Sequence, residues 1–90
     1  MILNSQVTLG TVAQVIVGPS INPQLVFLHS QETATSHYIY FGGPTISATT
    51  GPHLDSKESV HITLHRGETL YAVGDPAGVV VGIMVQNQDG

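Results

Sequence analysis

The sequence predicts an all-β fold, a small antiparallel β-sandwich or barrel of about seven to eight short strands. β-branched and aromatic residues dominate the apolar segments, and Gly or Pro interrupts them about every 8 to 12 residues. No segment is typical of a helix, so a parallel sheet with crossover helices is excluded. The 90 residues suffice for one hydrophobic core, which predicts a single domain over residues 1–90.

The first half of the chain contains four predicted strands separated by turn-forming residues. Residues 1–5 precede them as a candidate N-terminal arm, which docks on a neighbouring subunit or frays. Pro23 pushes the residue before it out of the helical region, so residues 21–23 form a loop. Residues 31–35 form a polar turn, across which His29 and His37 can face each other in a hairpin. The strands are Gln6–Leu9, Thr11–Val17, Gln24–Ser30 and Ser36–Gly42.

The second half begins with residues 42–52, a long connection rich in Gly, Pro and Thr with a short strand around Ile46. Three further strands follow, and Gly67 allows a short hairpin loop between the first two of them. These strands are Ser59–His65, Thr69–Val73 and Val79–Gln86.

Charge is unusually scarce: 9% of the residues are Asp, Glu, Lys or Arg, against about 25% in an average globular protein. With a net charge of −4 and only Lys57 and Arg66 as basic residues, the chain has no phosphate-binding surface, which excludes nucleic acid as a partner. The absence of Cys excludes disulfides and thiolate metal sites. No signal peptide and no apolar run long enough for a bilayer is present, which predicts a soluble protein without a membrane partner.

His61, His65 and Glu68 have the composition of a metal site, but their spacing does not fit one. Apolar and polar residues alternate strictly from Val60 to His65, which indicates a strand. Four strand residues separate the two histidines by about 13 Å, too far for one ion. The sequence therefore predicts no metal site and no cofactor.

No catalytic arrangement stands out either. Ser56, His53 and Asp55 are the residue types of a nucleophilic triad, but they lie too close in sequence to form its relay. Paired carboxylates in an apolar setting and phosphate-binding glycine loops are also missing. The chain is therefore predicted not to be an enzyme, with no catalytic residues.

The candidate functional residues are instead contact residues. Val79–Gln86 does not alternate, so its second apolar face, Val80 and Met84, is either a subunit interface or is covered by a loop or the N-terminal segment. Tyr38 and Tyr40 occupy the polar side of their strand, and Tyr suits contact surfaces. The full set of candidate interface residues is Ile2, Leu3, Tyr38, Tyr40, Val80 and Met84.

The segment YIYFGGPTISATTGPHLDSKESVHITLHRGETLYAVGD resembles a group of small virion proteins of tailed bacteriophages, of the capsid decoration or minor head type. Residues 39–73 carry the resemblance, and Lys57 departs from it by replacing a Gly that commonly precedes the Glu. The matching positions are Ile39–Gly43, Thr50-Gly51 with Leu54, Glu58 with Leu64, and Leu70–Val73.

The resemblance implies a decoration protein that stabilises the head by binding the major capsid protein lattice and that assembles with itself into a homo-oligomer, a trimer. It implies a location on the outer capsid surface of the virion, and in the host cytoplasm during assembly. Three alternatives stay open. One is a minor tail or fibre-associated module that binds a host surface or glycan through Tyr38, Tyr40 and Tyr71. The second is a soluble His-dependent metalloenzyme, which stoichiometric zinc in the purified protein would support against the spacing argument, and the third is a monomeric β-domain without an assembly role.

Overall fold

A computed structural model describes residues 2–47 and 51–87 of the chain. These residues form eight antiparallel strands and no helix, which confirms the predicted fold class. The absence of helices in this part of the chain also means that none is available to cross a membrane. The strands are β1 (Ile2–Leu9), β2 (Gln14–Val17), β3 (Gln24–Ser30), β4 (Tyr38–Gly42), β5 (His53–Leu54), β6 (Ser59–Leu64), β7 (Leu70–Asp75) and β8 (Val79–Asn87).

Two four-stranded sheets make up the sandwich. Sheet 1 has the strand order β1-β8-β3-β6, and sheet 2 has the order β2-β7-β4-β5. Among the described strands only β4 and β5 are consecutive and paired; every other connection passes from one sheet to the other. Successive side chains of a strand point to opposite faces of its sheet, so every second residue of each strand lies on the inner face.

The core lies between the two inner faces. Sheet 1 supplies Val26, Leu28, Val81 and Ile83, while sheet 2 supplies residues such as Ile39. Gly74 of β7 lies where the chain segments pack closely, since a Cβ atom there would lie 2.9 Å from the Cβ of Leu9. The remaining core residues are Leu9, Val17, Phe41, Leu54, Leu64, Leu70, Ala72 and Val79.

The predicted N-terminal arm is wrong for its described part. Residues 2–5 are the first half of β1 and pair with β8, where Ile2 lies opposite Gln86 and Ser5 lies opposite Ile83. The reason is that β8 has nine residues, and its backbone groups find partners in these four residues. Met1 lies outside the described residues, as does Thr50 of the virion-protein pattern.

Both predicted hairpins are also wrong. β3 belongs to sheet 1 and β4 to sheet 2, so His29 and His37 do not face each other across a ladder. β6 and β7 likewise lie in opposite sheets, and residues 65–69 connect the two layers. Instead of a strand at Ile46, the structure has an isolated bridge at Ser47. The next strand along the chain is β5, His53–Leu54, which the sequence analysis did not predict.

Candidate interaction surfaces

The outer face of sheet 1 carries the extra apolar side of β8. Val79, Val81 and Ile83 are buried in the core, whereas Val80 and Met84 point outward and are half-buried. The sequence prediction that β8 has two apolar faces therefore places both residues on the outside of the sandwich. Whether they bind another subunit stays a prediction.

Phe27 is the centre of a row of side chains that crosses three strands, from Met84 to His61. Phe27 of β3 lies opposite Met84, and His61 of β6 lies opposite Phe27. The rings of Phe27 and His61 meet edge to face, with centroids 4.7 Å apart. Leu25, two residues before Phe27 on β3, lies on the same face and is half-buried. We call Leu25, Phe27, His61 and Met84 the Met84 patch.

A shallow depression of about 610 Å³ lies beside the Met84 patch, where Phe27 and Met84 line it together with Gln31 and Gly82. Gly82 forms its floor, and the side chain of Gln31 lies so close above Gly82 that it would collide with a Cβ atom there. The main chain beside Val80 is bonded to the same segment: Gln31 N–H donates to the Val80 carbonyl at 3.1 Å. Val80 is therefore tied to the segment after β3 through its main chain.

The loop is held by Glu32. One carboxylate oxygen of Glu32 accepts a hydrogen bond from the Val80 N–H at 3.1 Å, and the other lies 2.7 Å from Nδ1 of His37. The His37 hydrogen bond, followed by the Val80 N–H, holds the pKa of Glu32 below its usual value, against a smaller opposing effect of burial. The ionised form of Glu32 thus stabilises the loop.

The outer face of sheet 2 carries an aromatic cluster. The rings of Tyr38 and Tyr40 each lie 5.3 Å from the ring of His53 on the neighbouring edge strand β5. Nε2 of His53 is 3.4 Å from Oδ1 of Asp55. The sequence prediction grouped Tyr71 with the two tyrosines, but Tyr71 lies opposite Gly42 and Val15, apart from His53.

Beside this aromatic cluster lies a depression of about 300 Å³ with polar walls. The Ser56 hydroxyl donates to the Ala34 carbonyl and fixes one wall. Ser36 adopts a φ of 69°, in the left-handed region, which places it at a turn of the other wall. The depression is lined by Thr35, Ser36, Tyr38, Asp55 and Ser56.

Ile2 and Leu3 lie on β1, the open edge of sheet 1, and are 56% and 54% exposed. Ile2 faces outward with its partner Gln86, whereas Leu3 and its partner Val85 are on the inner side. Leu3 borders a cleft of about 400 Å³ between the β1 and β2 edges, with Ile16 on the opposite side. The interior of the sandwich is therefore accessible along this edge.

The three residues considered for a metal site belong to β6 and to the turn after it. His61 lies on β6 and contacts Phe27, whereas His65 follows the end of the strand. Glu68 accepts a hydrogen bond from the His65 N–H at 2.7 Å, and its own N–H donates to the His65 carbonyl at 3.1 Å. Within residues 2–47 and 51–87 no three His, Asp or Glu side chains come close enough to hold a metal ion.

The turn at residues 55–58 repeats this arrangement. Glu58 accepts from the Asp55 N–H at 2.7 Å, and its N–H donates to the Asp55 carbonyl at 3.1 Å. Sequence reasoning missed the side-chain bonds of both glutamates, although each Glu comes three residues after the first residue of its turn, the spacing that such a bond requires. The two glutamates are therefore engaged in turn structure.

No family model and no curated protein sequence matches the chain. One similar solved structure is described as "Bacillus endospore appendages form a novel family of disulfide-linked pili". It is aligned over 99% of this chain and 90% of its own, with 17% sequence identity and a TM-score of 0.47. That description names spore appendages and does not name a phage protein. The present chain has no cysteine, so the disulfide link has no counterpart in it.

Proposed function

We propose that the chain is a structural virion protein, a capsid decoration protein of a tailed bacteriophage that binds the major capsid lattice from outside. The resemblance of residues 39–73 to such proteins supports this role. In it the protein performs no reaction: it bridges neighbouring capsid subunits and resists the pressure inside the head. Many equal contacts act together on a lattice, so each subunit needs only modest affinity.

The observation that carries the proposal is the placement of charge. Among the described strands the only charged residue is Asp75, the last residue of β7. The other charged residues of the described chain lie in the connections, such as the turns at 55–58 and 65–68. Asp75 lies on the outer face of sheet 2, opposite Tyr38. The outer face of sheet 1 is therefore the one whose strands carry no charged residue, the property that protein interfaces have at their centre.

The Met84 patch is the surface proposed to meet the capsid. Phe27 and Met84 supply apolar area in the middle of sheet 1, and the exposed His61 supplies a polar edge. An apolar centre with polar groups around it is the usual anatomy of a specific interface.

The test uses heads of the phage that encodes the chain, prepared without this protein. Purified wild-type protein is expected to bind these heads in a fixed ratio to the major capsid protein, measured by densitometry after sedimentation. Met84→Asp is expected to abolish binding, because it buries an unpaired charge in the contact. Thr45→Asp, which adds the same charge in the exposed loop after β4, is the matched control and is expected to bind normally. A copy number of only a few chains per intact virion, or normal binding by Met84→Asp, contradicts the proposal.

A second candidate function is supported by the aromatic cluster. We propose as the alternative a tail or fibre-associated module that binds a host glycan, because Tyr38 lies beside Asp55 and the two serines of the polar depression. Sugars bind by packing on an aromatic ring while polar groups accept and donate hydrogen bonds. Binding of the purified protein to a glycan array tests this function. Tyr38→Ala is expected to remove the signal and Tyr71→Ala, on the same sheet but outside the cluster, to keep it; the absence of any wild-type signal contradicts the candidate.

A further inference from the structure

We propose that β1 is a self-association edge, which pairs antiparallel with β1 of a second copy and joins two copies of sheet 1 into one continuous sheet. This inference goes beyond capsid binding, because it concerns the contact between copies of the chain. It also differs from the trimer that the sequence resemblance implies, since a twofold contact closes with two copies.

The hydrogen-bonding direction of β1 can be determined from two neighbouring bonds. The Leu9 carbonyl accepts from the Gly78 N–H at 2.8 Å, so the main chain of Leu9 points toward β8. The Val80 carbonyl accepts from Gln31 after β3, so the main chain of Val80 points away from β1. Successive residues of an antiparallel strand point their N–H and C=O groups to opposite sides. The residues of β1 whose groups face the open edge are therefore Ile2, Asn4, Gln6 and Thr8.

β1 also lacks the features that normally protect an edge strand from pairing with other strands. Natural edges are protected by charges, Pro, bulges or short length. β1 has eight residues with no charge and no Pro, and its register with β8 is unbroken. The other edges are protected: β5 has two residues, β2 is short and irregular between Val15 and Val17, and β6 lies between the two charged turns.

A second copy of β1 is the partner that fits this edge. The sequence contains no Asp, Glu, Lys or Arg before Glu32, so two β1 strands approach each other without charge repulsion. In the register centred on Ser5, Ile2 lies opposite Thr8 and Asn4 opposite Gln6. All four residues with open main-chain groups then have a partner. In this register odd-numbered residues of β1 lie opposite odd-numbered ones, and even-numbered residues opposite even-numbered ones. The inner faces of the two copies of sheet 1 therefore lie on the same side of the joined sheet.

Side chains on the inner side of β1 support the same contact. Leu3, which is 54% exposed in the single chain, comes to lie opposite Val7 of the second copy. The apolar cleft beside Leu3 is then closed from the side of the new strand. Pairing therefore removes apolar surface from water in addition to forming main-chain hydrogen bonds.

Sedimentation equilibrium tests whether the edge is used. Wild-type protein is expected to sediment as a dimer. The double variant with Asn4→Lys and Gln6→Lys is expected to raise the dimer dissociation constant roughly tenfold or more, because like charges then face each other twice. The double variant with Asn4→Lys and Gln6→Glu places opposite charges together and is expected to keep the dimer. Monomeric wild-type protein, a trimer, or equal association of the two variants overturns the proposal; unchanged circular dichroism and melting show that both variants are folded.

Cysteine cross-linking tests the register. Ser5 of one copy faces Ser5 of the other as a non-hydrogen-bonded pair, for which the Cα atoms are about 4.5 Å apart, a distance that allows a disulfide. Because the chain has no other cysteine, Ser5→Cys is expected to give a covalent dimer under mild oxidation. Gln6→Cys, which faces Asn4, is the control and is expected to cross-link much less. Equal cross-linking of the two variants, or none, overturns the register.

Discussion

Lys57 and Gly67 occupy the same position of two turns with the same hydrogen bonds, at residues 55–58 and 65–68. Both residues have positive φ, 64° for Lys57 and 82° for Gly67. Lys57, at which the chain departs from the virion-protein pattern, thus keeps the turn that a Gly would form. A non-Gly residue in this conformation carries a conformational strain that Gly avoids.

Lys57→Gly is therefore expected to leave the free energy of unfolding unchanged or to raise it by up to about 1 kcal/mol. Relief of the strain stabilises the folded variant, whereas the larger conformational entropy of Gly stabilises its unfolded chain, so the two effects partly cancel. The reciprocal change, Gly67→Lys, is expected to lower the free energy of unfolding by about 1 kcal/mol or more. Urea unfolding of the two variants checks this, and a larger loss in Lys57→Gly than in Gly67→Lys contradicts it.

Met84→Asp and Ile83→Asp are adjacent changes on β8 that are expected to have different effects. Ile83 is 4% exposed in the core, so a carboxylate there is expected to unfold the domain. Met84 points outward, so Met84→Asp is expected to cost less than about 1 kcal/mol of folding stability while it removes binding to heads. Thermal melting and sedimentation with heads separate the two effects. If both variants unfold, Met84 is a core residue.

The stability of the loop over Val80 is expected to depend on pH through Glu32. Its pKa is lowered in the folded chain, mainly by the hydrogen bond with His37. A carboxylate of this kind stabilises the fold above its unfolded pKa, and the stabilisation is lost as the pH falls through the lower folded value. The stabilising effect of Glu32 is therefore expected to be lost as the pH falls below the ordinary pKa of 4.5. Glu32→Gln is expected to be less stable at neutral pH and to lack this acid-dependent component in urea unfolding. A Gln variant whose stability falls with acid as steeply as that of the wild type contradicts the assignment.

Gly74→Ala is expected to lower the free energy of unfolding by about 1–3 kcal/mol, the range for overpacking a tight core. The added methyl group would lie 2.9 Å from the Cβ of Leu9 and 3.3 Å from the Cβ of Val79. Gly18→Ala is the control, since no atom lies within 4 Å of a methyl group there. Thermal melting is the measurement, and equal melting temperatures of the two variants would show that the sheets can separate slightly.

The features predicted correctly from sequence are those that depend on the residues of a single strand. β8 has apolar residues at both alternating sets of positions, which indicated two apolar faces and identified Val80 and Met84 as the second one. The two hairpin predictions failed because a turn sequence specifies how the chain bends locally. It does not specify whether the next strand joins the same sheet or the opposite one, which depends on strands far away in sequence.

The contact residues show the same limit. The approach of His53 to Tyr38 depends on β5, a strand of two residues without a periodic signal. The position of Gln31 above Gly82 depends on a loop that is bonded to β8, about fifty residues later. Similarly, residues 2–5 have no apolar alternation of their own, and their place in β1 is determined by β8.

The pairing of β1 with β8 has a consequence for synthesis on the ribosome. β1 is translated before the other seven strands, yet its partner β8 is the last of the eight to be translated. Sheet 1 can therefore close only after translation of β8, and such non-local pairing is slow to form. Until then the uncharged β1 has no partner strand on either edge. Premature contact between neighbouring nascent chains is therefore the hazard of this topology.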